Sequence, residues 1–135
     1  MTNRRRNAGF AVLLLNLLIG CATQDTAEEE VLFEPEYQSI ETHLLGNDLV
    51  AFDLTMVGAR DPGDVRQYGD CAAAQYALIR GYGYARHLRT TTERSGDTWQ
   101  GDAIYTISAD RPAGLEVIVA EDTVATCRDA AIPTV

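Results

Sequence analysis

A chain of 135 residues with 20 acidic side chains against 11 basic ones, a net charge of −9 and no lysine has room for one small domain and not for two. That balance excludes a surface built to grip nucleic acid or to cling to anionic lipid headgroups, since both need basic patches. It permits a basic protein partner without requiring one.

The chain opens with a cationic head, Arg4, Arg5 and Arg6, followed over residues 8–19 by an apolar run broken only by Gly9 and Asn16. Charge followed by a short apolar core is the layout of an export signal. The run is shorter than the ~20 apolar residues a membrane span needs. Its last residues, Leu18-Ile19-Gly20-Cys21, resemble the cleavage and lipidation box of bacterial lipoproteins. The resemblance implies that residues 1–20 are removed, that the Cys21 sulfur takes a diacylglyceryl group and that the freed amine is acylated. Each buried methylene contributes ~0.8 kcal/mol, so two or more chains give stable anchoring where one is marginal. The plainer alternative is a cysteine that happens to sit in a hydrophobic segment. Ala22 stands where an aspartate would, by the same resemblance, retain the protein at the inner membrane. The expected address is therefore the outer membrane, facing the periplasm, with the bilayer itself a partner through the lipid on Cys21.

Cleavage there leaves 115 residues, with eight arginines against 20 acids and a balance of −12. In an oxidising compartment the two remaining cysteines, Cys71 and Cys127, form an even pair, and a disulfide is expected. Two free buried thiols are the rival reading. A metal centre on either is not expected, since no CxxC or clustered histidine accompanies them.

Residues 21–36 carry the lipidated end and a small, acidic stretch with Glu28-Glu29-Glu30, which reads as a solvated tether. Residues 37–135 are expected to form a single domain. Residues 37–45 fit a short strand or a turn of helix, and Gly46-Asn47-Asp48 breaks the chain. Leu49–Val57 alternates Val50, Phe52, Leu54 and Met56 against Ala51, Asp53 and Thr55, which is a strand with one buried face.

Asp61 or Asp64 caps the helix that follows. Over residues 64–80, Val65, Tyr68, Ala72, Tyr76 and Ile79 recur at intervals of three and four beside Cys71, while Arg66, Asp70, Ala73, Ala77 and Arg80 fall on the other side. Gly81 and Gly83 end it.

Residues 84–93 have strand composition with weak alternation. A turn at Ser95-Gly96-Asp97 returns residues 98–108 as a strand with Trp99, Ala103, Tyr105 and Ile107 on one face. A short strand over 115–120 precedes a tail read as loop or frayed helix. The pattern β-α-β-β-β predicts an α+β two-layer sandwich, with one helix on a mainly antiparallel sheet of about four strands. The disulfide would then pin the tail to the helix and fasten the two layers.

The span from Leu49 to about Arg89 resembles a group of small uncharacterised envelope lipoproteins of proteobacteria. The residues that carry it are the strand ending near Gly58, the stretch Tyr68-Gly69-Asp70-Cys71-Ala72-Ala73-Ala74, and the Gly-Tyr step within Leu78–Tyr84. Ala85 stands where members usually have an aromatic. The resemblance implies the fold and the address, and brings no activity with it.

Chemistry is sparse. Cys71 with His87 is the nearest approach to an activated nucleophile, but a thiol on a buried stripe is raised in pKa and unreactive. Ser39, Ser95 and Ser108 lack a nucleophile elbow. Gly81-Tyr82-Gly83 follows a helix instead of opening one, so it is a stop and not a phosphate loop. Asp61 with Asp64 and Glu121 with Asp122 lack the ligand pattern of a calcium loop. Tyr68, Tyr76, Tyr82, Tyr84, Tyr105 and Trp99 suit half-buried edges and also protein interfaces. Arg86 and Arg89 can pair with surrounding acids.

No catalytic, cofactor or metal site is therefore expected. The expected role is a non-enzymatic envelope structural or accessory protein with a protein partner. The alternative is an acidic module that inhibits a basic periplasmic protein such as lysozyme, and a hydrolase would need a pocket gathering His43 or His87 with acids.

Overall fold

The computed structural model describes residues 32–135. The leader, Cys21 and most of the tether lie outside the described residues. The described part is α+β, with strands β1 (Glu36–Leu44), β2 (Leu49–Val57), β3 (Tyr84–Ser95), β4 (Thr98–Ser108) and β5 (Val117–Val119), and helices α1 (Pro62–Ile79) and α2 (Ala120–Asp129). They form one antiparallel sheet in the order β1-β2-β4-β3-β5. The two-residue turn Gly96-Asp97 lays β4 directly beside β3, while the connection through α1 carries β3 past the place next to β2. β4 is therefore central.

The alternation of β2 and β4 decides which face is inside. Val50, Phe52, Leu54, Met56, Trp99, Ala103, Tyr105 and Ile107 are all buried, as their period of two requires. α1 lies over that face. It starts where the Asp61 carboxylate accepts a hydrogen bond from the Gly63 N–H at 2.7 Å, with Pro62 in the first turn. It ends at Gly81, whose φ of 78° only glycine adopts freely, with the Tyr82 N–H donating back to the Ala77 carbonyl.

Helix and sheet approach closely. A Cβ placed on Gly69 of α1 would stand 2.7 Å from the Tyr105 hydroxyl and 3.2 Å from both the Ala103 Cβ and a Leu54 methyl. One placed on Gly101 of β4 would overlap a Val65 methyl. Ala72, Ala73, Ala77 and Ala85 fill the rest of the layer without leaving any of their own surface exposed. Small side chains let the two layers close to native packing density.

Several expectations are corrected. Among the described residues there are two helices and five strands, in the order β-β-α-β-β-β-α, where one helix and about four strands were expected. β1 was ambiguous because a register shift between Tyr37 and Ser39 puts Tyr37, Ile40 and Leu44 on the inner side at intervals of three and four, which imitates a helix. The alternation of β3 is weak for the same reason. A bulge between His87 and Arg89 changes its phase, so Ala85 and His87 face inward before it and Thr90 and Thr92 after it. The expected strand over 115–120 shortens to three residues, because the chain turns into α2 at Ala120 and Leu115 is left fully exposed.

The tail from Glu121, expected as loop or frayed helix, is helical as far as Asp129, and its sequence gives little warning of it. Only Ala120, Val124 and Cys127 of α2 are buried, and its first turn has no side-chain cap. It is held by packing and not by propensity. α1 is buried on more than one stripe, with α2 against the side that carries Cys71 and the row continued from Gly69 facing the sheet. Ala73 and Ala77, read as outward, are fully buried, while Ile79, read as inward, is 61% exposed near the helix end.

Cys71 and Cys127 form the disulfide, with Cα atoms 5.9 Å apart. Both belong to helices, so the bridge ties α1 to α2 within the helical layer and does not join helix to sheet.

Candidate functional site

Two polar groupings lie on opposite sides of the sheet. The inner one begins with Tyr105, which the period of β4 points at α1. Its hydroxyl donates to an Asp70 carboxylate oxygen at 2.8 Å. Asp70 lies one turn along α1 from Arg66, whose guanidinium reaches Asp70 at 3.7 Å and Glu116 at 3.5 Å. His87 comes from β3 and packs its ring edge-on to Tyr105, with centroids 5.2 Å apart. Its Nε2 is 2.8 Å from the Thr90 hydroxyl. That pairing exists because of the bulge, since residues three apart on a regular strand point to opposite faces.

Burial pushes the Asp70 carboxyl above its ordinary pKa, with the Tyr105 hydrogen bond and Arg66 pulling the other way. Burial, with the nearby Arg66, pushes His87 below the usual imidazole value. Tyr105 is driven upward by burial and by Asp70. A depressed histidine against a buried tyrosine that already donates to an acid makes a network that closes on itself. Its consequence is to seat α1 on the sheet.

This network gives the first test. Asp70→Asn keeps an acceptor for Tyr105 and removes the charge, whereas Asp70→Ala leaves the buried hydroxyl only the Arg66 carbonyl at 3.5 Å, at a cost of about 1–3 kcal/mol. Because the folded state holds the Asp70 proton to higher pH than the unfolded chain does, ionisation of this group lowers stability as pH rises. In urea titrations from pH 3.5 to 7, the Asn variant should therefore gain on the wild type with rising pH, from the ordinary carboxylate range up through the raised one. A gap independent of pH would show that Asp70 is not destabilised by burial.

The sequence candidates fall as follows. Cys71 spends its sulfur on Cys127, so the pair Cys71 and His87 supplies no thiolate. Asp61 is a helix cap, and Asp64 is 8% exposed, clamped by the Arg60 backbone N–H and guanidinium at 2.7 to 3.0 Å, which hold its pKa below the usual carboxylate value. Glu121 and Asp122 lie in the first turn of α2, where the helix dipole favours negative charge. Tyr68 packs edge-on against Tyr37 at 4.7 Å, and Tyr76 against Phe52 at 6.0 Å. Tyr82 donates to Asp48 at 3.3 Å. Among the described residues no helix is long and apolar enough to cross a membrane.

The outer grouping is on the sheet face turned away from α1. Asp53, Thr55, Arg89, Thr91, Gln100 and Asp102 border a shallow groove of about 590 Å³. Register places Glu41 opposite Asp53 and Asp53 opposite Asp102, a row of three acids across β1, β2 and β4. Arg89 meets Asp102 at 3.7 Å, and His43 meets Asp53 at 3.0 Å. His43 is thus gathered with acids, and on the opposite side of the sheet from His87. The row was not foreseen, because its members belong to strands whose pairing only the fold reveals.

A family model described as the YNQ4 C-terminal domain matches residues 37–131. An uncharacterised 26.9 kDa protein in the nqo8 5' region of Paracoccus denitrificans is 30% identical over 87 residues, which is 64% of this chain and 34% of that protein. The chain therefore spans about a third of the length of this curated relative. No solved structure matches the chain.

Proposed function

The chain belongs to the YNQ4 C-terminal domain family, and we propose that here the domain is the head of an outer-membrane lipoprotein that binds an envelope partner and is not an enzyme. The observation that carries this reading is Leu18-Ile19-Gly20-Cys21 at the end of a charged and then apolar leader. The Cys71–Cys127 bridge supports it, because disulfides persist in oxidising spaces such as the periplasm. Residues 21–36 would hold the domain off the lipid surface. The polar open face of the sheet, with its groove, is the surface offered to a partner.

The test is inhibition of lipoprotein leader cleavage in living cells with globomycin. A larger, uncut form should accumulate, and mass spectrometry of untreated protein should find Cys21 acylated. A processed, soluble protein with an unmodified Cys21 would remove the anchor.

The acid row Glu41, Asp53 and Asp102, together with the −12 balance of the cleaved chain, favours a second reading, an inhibitor of a basic periplasmic protein such as lysozyme. Retention of lysozyme on the immobilised protein at moderate salt would support it, because charge-only adhesion fades as salt screens it.

A further inference from the structure

We propose that Glu41, His43 and Asp53 form a binding site for a divalent first-row ion, zinc in particular, on the open face of the sheet. Glu41 and His43 are two apart on β1, so the period of the strand turns both outward on the same side. Asp53 is the register partner of Glu41 on β2. The register partner of His43 is Ala51. Its single methyl leaves room for the imidazole to lean along the diagonal to Asp53, a reach that long side chains make across paired strands.

The result is a convergence of three donor atoms. His43 Nε2 lies 3.0 Å from an Asp53 carboxylate oxygen and 3.9 Å from a Glu41 carboxylate oxygen, and all three ligand atoms lie within 4.8 Å of one another. Zinc bonds to imidazole and carboxylate are ~2.0–2.2 Å, which sets neighbouring ligands roughly 3.4 Å apart around a tetrahedron. Small side-chain rotations reach that geometry, since 48% to 74% of each side chain is exposed and free to move.

Charge argues in the same direction. Like charges placed directly opposite on paired strands are destabilising. In this row Asp102 has Arg89, whereas among the described residues Glu41 and Asp53 have only an imidazole. A divalent cation bound by two carboxylates and a neutral imidazole makes a neutral complex and removes the repulsion. One nitrogen and two oxygen donors suit zinc, manganese and cobalt, and among these the usual affinity order places zinc highest. Three protein ligands leave at least one coordination position open beside the groove, so the ion would sit where a partner's own donor can complete it.

The experiment is zinc titration by calorimetry into the full chain, carrying Cys21→Ser so that no leader thiol competes. One zinc per chain is expected. His43→Ala should weaken binding by about tenfold or more and Glu41→Gln should weaken it too, while His87→Ala leaves it unchanged. Cobalt(II) as a paramagnetic stand-in should broaden the amide resonances of Glu41, His43 and Asp53 first, a readout that needs no variant to fold. No saturable zinc binding, binding that survives His43→Ala, or broadening centred elsewhere would each overturn the site.

Discussion

Replacing Cys71 and Cys127 together by alanine is expected to lower the stability of the domain by about 2–5 kcal/mol. The bridge closes a loop over a separation of 56 residues, and its loss restores that freedom to the unfolded chain. The folded state loses as well. α2 spans only ten residues, a length at which an isolated helix is marginal in water, and it buries just Ala120, Val124 and Cys127. For a domain of this size such a loss lowers the melting temperature by roughly 10 °C or more. Thermal melts of the double variant, and of the wild type with and without reductant, measure it. A shift of only a degree or two would mean that packing alone fixes α2.

The second large effect is expected at the contact between helix and sheet. Gly101→Ala puts a methyl where Val65 already has one, and overpacking of a filled core costs about 1–3 kcal/mol. Val65→Ala removes the obstructing methyl. In a double-mutant cycle the pair should therefore be less unstable than the sum of the single variants. Gly69→Val is a parallel case, since its Cβ would meet the Tyr105 hydroxyl at 2.7 Å and force it away from Asp70. Urea unfolding gives each value. Additive energies at Gly101 and Val65 would show that the layers separate readily enough to absorb a methyl.

What the sequence discloses here follows from where regular periodicity holds. β2, β4 and the stop of α1 were legible because alternation and a glycine stop are local signals, while the start of α1 was narrowed only to a cap at Asp61 or Asp64, and Asp61 is the cap. β1 and β3 were blurred by one extra residue each, at Gln38 and Leu88, since a bulge turns a period of two into apparent noise or an apparent helix. α2 was legible only as loop or frayed helix, because its apolar positions are few and its reason to be helical lies on α1. Ala73 and Ala77 were misassigned because alanine carries no signal of which neighbour will cover it. The disulfide could be argued from compartment and count. The convergence of Glu41, His43 and Asp53 could not, because Asp53 joins the other two only through the hairpin register.

The bulge at Leu88 has a bearing on how relatives of this domain are compared. Deleting that single residue would leave β3 in regular alternation with its faces unchanged, Arg89 still outward opposite Ile104 and Thr90 and Thr92 still inward opposite Ala103 and Gly101. A loss of length at this point is thus absorbed more readily than one in the regular part of the strand, which would exchange its two faces. Homologous chains laid against this one without a gap there, when they lack the extra residue, would match solvent positions to core positions.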